Sequence, residues 1–197
     1  MSQPFGNPIL IASPTRSGTT MVAWLLHLHG AWIGEAGITK APETNPQVGT
    51  ENTRILQYLK SISGAPNDFR KRILSLVDTD GPWLVKTAQN LLKMDAWLKH
   101  FPEARWVLTD RSTEDIIAST MRHPGMMDDP DKRRKIVEQH KHLQQRVAYR
   151  ANHVHWVDVD ALASADESVG RALIEFCGLG FDPNKFHNWI QPGRWHK

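Results

Sequence analysis

Pro8-Ile-Leu-Ile-Ala-Ser-Pro-Thr-Arg-Ser-Gly-Thr-Thr20 is the stretch whose reading decides the fold. Ile9, Leu10 and Ile11 form a short continuous apolar run, the mark of a strand buried on both faces. Pro14 ends it, because proline cannot donate to a sheet ladder. From Ser17 the pattern turns helical: Met21, Val22, Trp24, Leu25, Leu26 and Leu28 follow, and Gly30 supplies the stop. Strand and helix are joined by Thr15, Arg16, Ser17, Gly18, Thr19 and Thr20, which bring one cation, one glycine and four hydroxyls. Such a turn aims backbone N–H groups and the positive end of a helix dipole at one point. It is an oxyanion cradle, and phosphate is its usual occupant.

The turn is P-loop-like but departs from the Walker A pattern, in which a lysine directly after the last glycine reaches the β- and γ-phosphates. Here Thr19 follows Gly18, the cation is Arg16, and Ser13 stands where the first glycine belongs. An anion is expected, though not a nucleoside triphosphate held in the usual way.

Working outward, residues 31–51 carry Gly34, Gly37, Pro42, Pro46 and Gly49 and read as a long loop or lid. Its carboxylates are Glu35, Glu43 and Glu51. Ile55, Leu56, Leu59 and Ile62 then give a helical stripe, and Phe69, Ile73, Leu74 and Val77 a second short one. Residues 82–86 form the second strand candidate, closed by Lys86, and a helix is expected over 90–100 with Leu91, Leu92, Met94, Leu98 and Phe101 inward. Residues 105–110 form the third strand. Ser112, with Asp115 three residues on, starts a helix that carries Ile116, Ile117 and Met121 on its apolar side. A long charged helix over 131–150 follows, with Ile136, His140, Leu143 and Val147 as its stripe. Its Lys132, Arg133, Arg134 and Lys135 run reads first as a solvated helix start and second as an acceptor-binding patch. Residues 153–159 form the fourth strand, and a last full helix starts at Ser164, with Glu167 completing a capping box, and ends at Gly178.

Strands separated by helices require crossover connections. The expected fold is a single α/β domain over residues 1–197, three layers deep. A mostly parallel sheet of four to five strands carries helices on both faces, opened by the P-loop-like strand–turn–helix. Ligands bind at the carboxyl ends of strands in such folds. The first three strands end at Arg16, Lys86 and Asp110-Arg111, so three cations converge on one crevice. The ligand should carry more negative charge than a single phosphate.

Composition bounds the rest. A chain of 197 residues can bury about 70% of its unfolded surface. No apolar run approaches the roughly 20 residues that span a bilayer, and residues 1–5 lack a basic start, so neither membrane nor secretion is expected. The single cysteine, Cys177, excludes an internal disulfide, fits a reducing cytoplasm and reads as a buried filler. A net charge of +3 argues against nucleic acid as partner. Metal catalysis is not expected: His27 and His29, like His140 and His142, lie two apart on helices and face different ways. His153 and His155 share a strand face without a third ligand.

Taken together, these residues resemble the PAPS-dependent sulfotransferases, whose donor is 3′-phosphoadenosine-5′-phosphosulfate. Pro14-Thr-Arg-Ser-Gly-Thr-Thr20 is similar to that family's 5′-phosphosulfate loop in its arginine form. Arg111-Ser-Thr-Glu-Asp-Ile-Ile-Ala-Ser119 resembles its 3′-phosphate motif, an arginine at a strand end and a serine two helical turns later. Weaker similarities are Trp83-Leu-Val-Lys-Thr87, where the family often places a histidine base next, and Val157-Asp-Val-Asp-Ala-Leu162. Ala88 occupies that histidine's place here. The resemblance implies PAPS as donor, 3′,5′-adenosine bisphosphate (PAP) as product, no metal, and a small acceptor bearing a hydroxyl or amine. It implies that Thr15, Arg16, Ser17, Gly18, Thr19, Thr20 and Lys86 handle the phosphosulfate end and that Arg111 and Ser119 hold the 3′-phosphate. For the base it points to Glu35, ahead of Glu51 and Glu43. A tryptophan is expected to stack on adenine, without the sequence saying which. The rival readings are a small P-loop kinase, with Asp110 imitating a magnesium ligand, and a catalytically degenerate nucleotide-binding protein, for which Ala88 speaks.

Overall fold

Alternation along the first strand divides the interior in two. The computed structural model describes residues 6–34, 51–122 and 129–191. In β1 (Ile9–Ile11), Ile9 and Ile11 join one apolar core, while Leu10 and the following Ala12 join the other. A strand buried on both faces has no polar side to offer, which is why it reads as an unbroken apolar run. β2 (Leu84–Lys86) splits the same way, Leu84 to the first core and Val85 to the second. In β3 (Arg105–Asp110), Val107 faces the first core and Trp106 and Leu108 the second. With β4 (His153–Asp158) the sheet is fully parallel, in the order β2-β1-β3-β4.

Helices cover both faces. The first core is roofed by α1 (Thr19–Leu28), α8 (Val159–Ala163), α9 (Glu167–Phe176) and α10 (Pro183–Trp189). The second takes α2 (Thr53–Ser61), α3 (Phe69–Leu74), α4 (Gln89–Leu92), α5 (Met94–His100) and α7 (Pro130–Arg150). Against α7 packs α6 (Thr113–Met121). This is the expected α/β architecture, with four strands in the sheet. Among the described residues, no helix is long and apolar enough to cross a membrane.

Several expected boundaries are corrected. The helix over 90–100 is two helices, broken at Lys93, whose Nζ donates to the Ile62 carbonyl at 2.6 Å; Leu92 is exposed, not inward. The fourth strand stops at Asp158, because its carboxylate accepts from the N–H groups of Asp160 and Ala161 and starts α8. Ser164 therefore closes α8 and does not open the last full helix. Ala165 turns the chain at φ 65°, and Asp166 caps α9 by accepting from Ser168 N. The Ser164–Glu167 capping box does not form. On α7 the buried residues are Val137, Gln144 and Val147, so the inward stripe lies one residue on from Ile136 and Leu143. Met121 is exposed.

Other readings hold. Gly30 sits at φ 107°, the left-handed geometry of a helix stop. Ser112 caps α6 by accepting from Asp115 N at 3.0 Å. Cys177 is buried, and burial pushes its thiol up to about 12. Five of the eight tryptophans, Trp24, Trp83, Trp97, Trp106 and Trp189, are core fillers, which removes them from candidacy for adenine stacking.

Candidate functional site

The loop between β1 and α1 is held from below by a chain of buried polar groups. Thr109 N donates to Ser13 Oγ at 2.8 Å, and Thr109 Oγ1 donates to Ser17 Oγ at the same distance. Ser17 Oγ donates in turn to the Pro14 carbonyl at 2.6 Å. From α7, the Gln144 amide reaches Ser13 Oγ at 3.0 Å and the Thr109 carbonyl at 3.2 Å. Buried polar groups left unpaired are costly, so this network fixes one loop conformation.

That conformation is unusual. Arg16 lies at φ 74° and Gly18 at φ 87°, with Ser17 between them on the ordinary side. Alternation of this kind makes a nest of N–H groups that suits an anion. Gly18 is needed twice over, since a Cβ there would also come within 2.5 Å of Val159 Cγ1. The N-terminus of α1 has no side-chain cap, whereas α2, α6, α7 and α9 all have one. Its first-turn N–H groups are left for a ligand.

The loop carbonyls are turned to other partners. Pro14 O accepts from Ser17, Thr15 O from Arg133 Nη2 at 2.8 Å, and Arg16 O from Arg111 Nη1 at 3.1 Å. The Arg16 side chain donates from Nε to Ser119 Oγ at 3.3 Å. The two sequence motifs, 103 residues apart, thus meet directly. Arg111 Nε is buried with no hydrogen-bond partner among the described residues, a charged donor open to an acceptor from a ligand. Burial first, then the charges of Arg111, Arg122 and Arg133, lower the Arg16 pKa, though it remains a cation at neutral pH. Crowding of four guanidinium groups is tolerable where an anion is to be bound.

Lys86, paired in register with Ile11, lies on the other side of β1. Its ammonium is 3.5 Å from Glu51 Oε1. Burial pulls its pKa below the usual lysine range although Glu51 opposes the shift, and Arg16 adds to the lowering. Glu35 and Glu43 lie outside the described residues. Ala88 precedes α4 and offers no titratable group where a histidine base would stand. Sequence reasoning missed Arg133 and Gln144 as partners of the loop. Their spacing of eleven residues places both on one helix face, a signal that the surrounding charges obscured.

An anion nest at the end of the first strand and Arg111 at the end of the third give this parallel α/β protein a site for anionic ligands at the carboxyl ends of its strands. The sequence model of the sulfotransferase family matches residues 8–183, and the chain belongs to that family. It is a sulfotransferase, and the kinase reading falls away. The sulfotransferase domain of the Synechococcus PCC 7002 olefin synthase is similar in structure, with a TM-score of 0.58 at 16% identity over 99% of this chain and 82% of that one. Retinol dehydratase, solved in complex with androsterone and the inactive cofactor PAP, has a TM-score of 0.50 at 17% identity over 93% of this chain and 63% of its own. No curated protein matches the sequence significantly.

Proposed function

We propose that this sulfotransferase takes its sulfuryl group from PAPS and delivers it to a hydroxyl or amine of a small acceptor, in the cytoplasm. One observation carries the donor assignment: Arg111 lies against the phosphosulfate-type loop with its Nε buried and without a partner among the described residues, beside the Arg16–Ser119 contact. Such an arrangement suits a ligand with two separate anionic groups, and a structural neighbour was solved with PAP. The single cysteine supports the location.

PAPS supplies the activated sulfuryl group. Arg16 and the N–H groups of the loop, with the hydroxyls of Thr15, Thr19 and Thr20 around them, would hold the 5′ end, while the buried Ser17 hydroxyl, already paired with Pro14 and Thr109, would shape the loop from within. Lys86 would neutralise charge on the departing oxygen, since a preorganised cation in a water-poor site stabilises developing charge strongly. Arg111 and Ser119 would hold the 3′-phosphate and exclude nucleotides that lack it. The acceptor's proton passes to a carboxylate of the 31–51 segment. Glu35 is the choice from sequence, and Glu51 is the one beside Lys86.

PAP should raise the melting temperature well beyond AMP or ATP with magnesium; a larger shift with ATP and magnesium would sink the donor assignment. For the base, Glu35→Gln and Glu51→Gln should both leave PAP affinity intact. The one that slows sulfation by about 10²–10⁴ holds the role, and two near-normal variants would mean that no carboxylate serves as base. Tight PAP binding with no acceptor sulfated in a broad screen would favour a binding protein over an enzyme.

A further inference from the structure

The basic run at the start of α7 is not uniform. Lys132 pairs with Asp129 at 3.6 Å, Arg134 pairs with Glu114 at 2.9 Å, and both are exposed. Lys135 is exposed as well. Arg133 alone of the four turns inward. Its Nε donates to Thr120 Oγ1 at 3.2 Å and its Nη2 to the Thr15 carbonyl at 2.8 Å. Thr120, itself buried, donates to the Ile116 carbonyl at 2.8 Å, so its remaining lone pair faces Arg133. The guanidinium fork thus bridges a rigid point on α6 and a backbone atom of the loop.

The atom it grips decides the loop's shape. A trans peptide is planar, so a Thr15 carbonyl turned to Arg133 directs the Arg16 N–H the opposite way. The next carbonyl, Arg16 O, is gripped in the same fashion by Arg111. Between the two grips sits Arg16 at φ 74°, a backbone state that a non-glycine residue keeps only when its surroundings impose it.

We propose that Arg133 is a positioning residue for the donor site: held by Thr120, it fixes the Thr15–Arg16 peptide and so keeps the anion-binding loop in its receptive form. The inference rests on the PAPS reading above and goes beyond it in assigning a residue of the long helix to the site.

The test is PAP affinity by calorimetry on the full chain, with the melting temperature of each unliganded variant measured alongside. Arg133→Met keeps most of the stem and should weaken PAP at least tenfold. Arg133→Lys should recover only part of this, since one ammonium cannot reach both acceptors in fork geometry. Thr120→Val should cause a smaller loss, and the double variant should bind no worse than Arg133→Met. Arg134→Met, in the exposed pair next door, should stay within twofold of wild type. If wild type binds PAP and Arg133→Met binds equally well, the positioning role fails while the donor assignment stands. An Arg133→Met protein that merely melts earlier with unchanged affinity makes Arg133 a fold residue and overturns the proposal. If Arg133→Met does not fold, Arg133→Lys and Thr120→Val decide: wild-type affinity in both overturns it. A wild type that fails to bind PAP removes the donor reading, and this role with it.

Discussion

Arg111 carries two tasks through one guanidinium. Nη1 is spent on the Arg16 carbonyl, while Nε is buried and, among the described residues, unmatched. Loss of a charge-assisted bond costs about 1.5–3 kcal/mol, so Arg111→Ala should weaken PAP by roughly that amount. AMP, measured in the same titration, should lose clearly less, because only the hold on the Arg16 carbonyl is removed from its site. Equal losses for both nucleotides would show that Arg111 serves only the loop. Lys86 shows the limits of reading single residues: its place at a strand end was legible, but its partner was not. Glu51 lies 35 positions earlier in a loop whose path no periodicity specifies, so the 3.5 Å pair could be found only in three dimensions.

The strand–turn–helix from Ile9 to Leu28 was the most legible element, because two opposing requirements show in its letters: apolar residues without alternation, then a glycine among hydroxyls. Gly18→Ala tests that reading. The substitution must hold a left-handed backbone, which costs about 1–2 kcal/mol, and must displace Val159 besides. A drop of at least 2 kcal/mol in the urea-derived stability, with loss of PAP binding, is expected; an unchanged urea midpoint would contradict the packing described here. Less legible were elements whose ends depend on competition between caps. Asp158 and Asp166 each outcompeted Ser164 as a helix start: Asp158 accepts from the N–H groups of Asp160 and Ala161, and Asp166 from the N–H and hydroxyl of Ser168. The α7 stripe was misplaced for a related reason. Its inward face carries Arg133, His140 and Gln144, and polar residues on a core-facing side defeat a pattern based on apolarity.

At the scale of the whole molecule, the parallel sheet, the layered cores and the crevice at the strand ends followed from the order of elements, since crossover connections leave few arrangements open. The acceptor has no such signature: its pocket would depend on loops, and residues 35–50 lie outside the described structure. What the loop's supports imply for assembly is a matter of timing. The carbonyl of Arg16 is held from 95 positions downstream, that of Thr15 from 118, and Ser13 from 131. Contacts so distant in sequence form only after their intervening segments have closed, and closing them carries an entropic toll. A ribosome-bound chain truncated before α7 would therefore display the complete sequence from Pro14 to Thr20 and still retain no PAP on a resin. Retention should begin only when the long helix has cleared the exit tunnel, making PAP a reporter of finished folding.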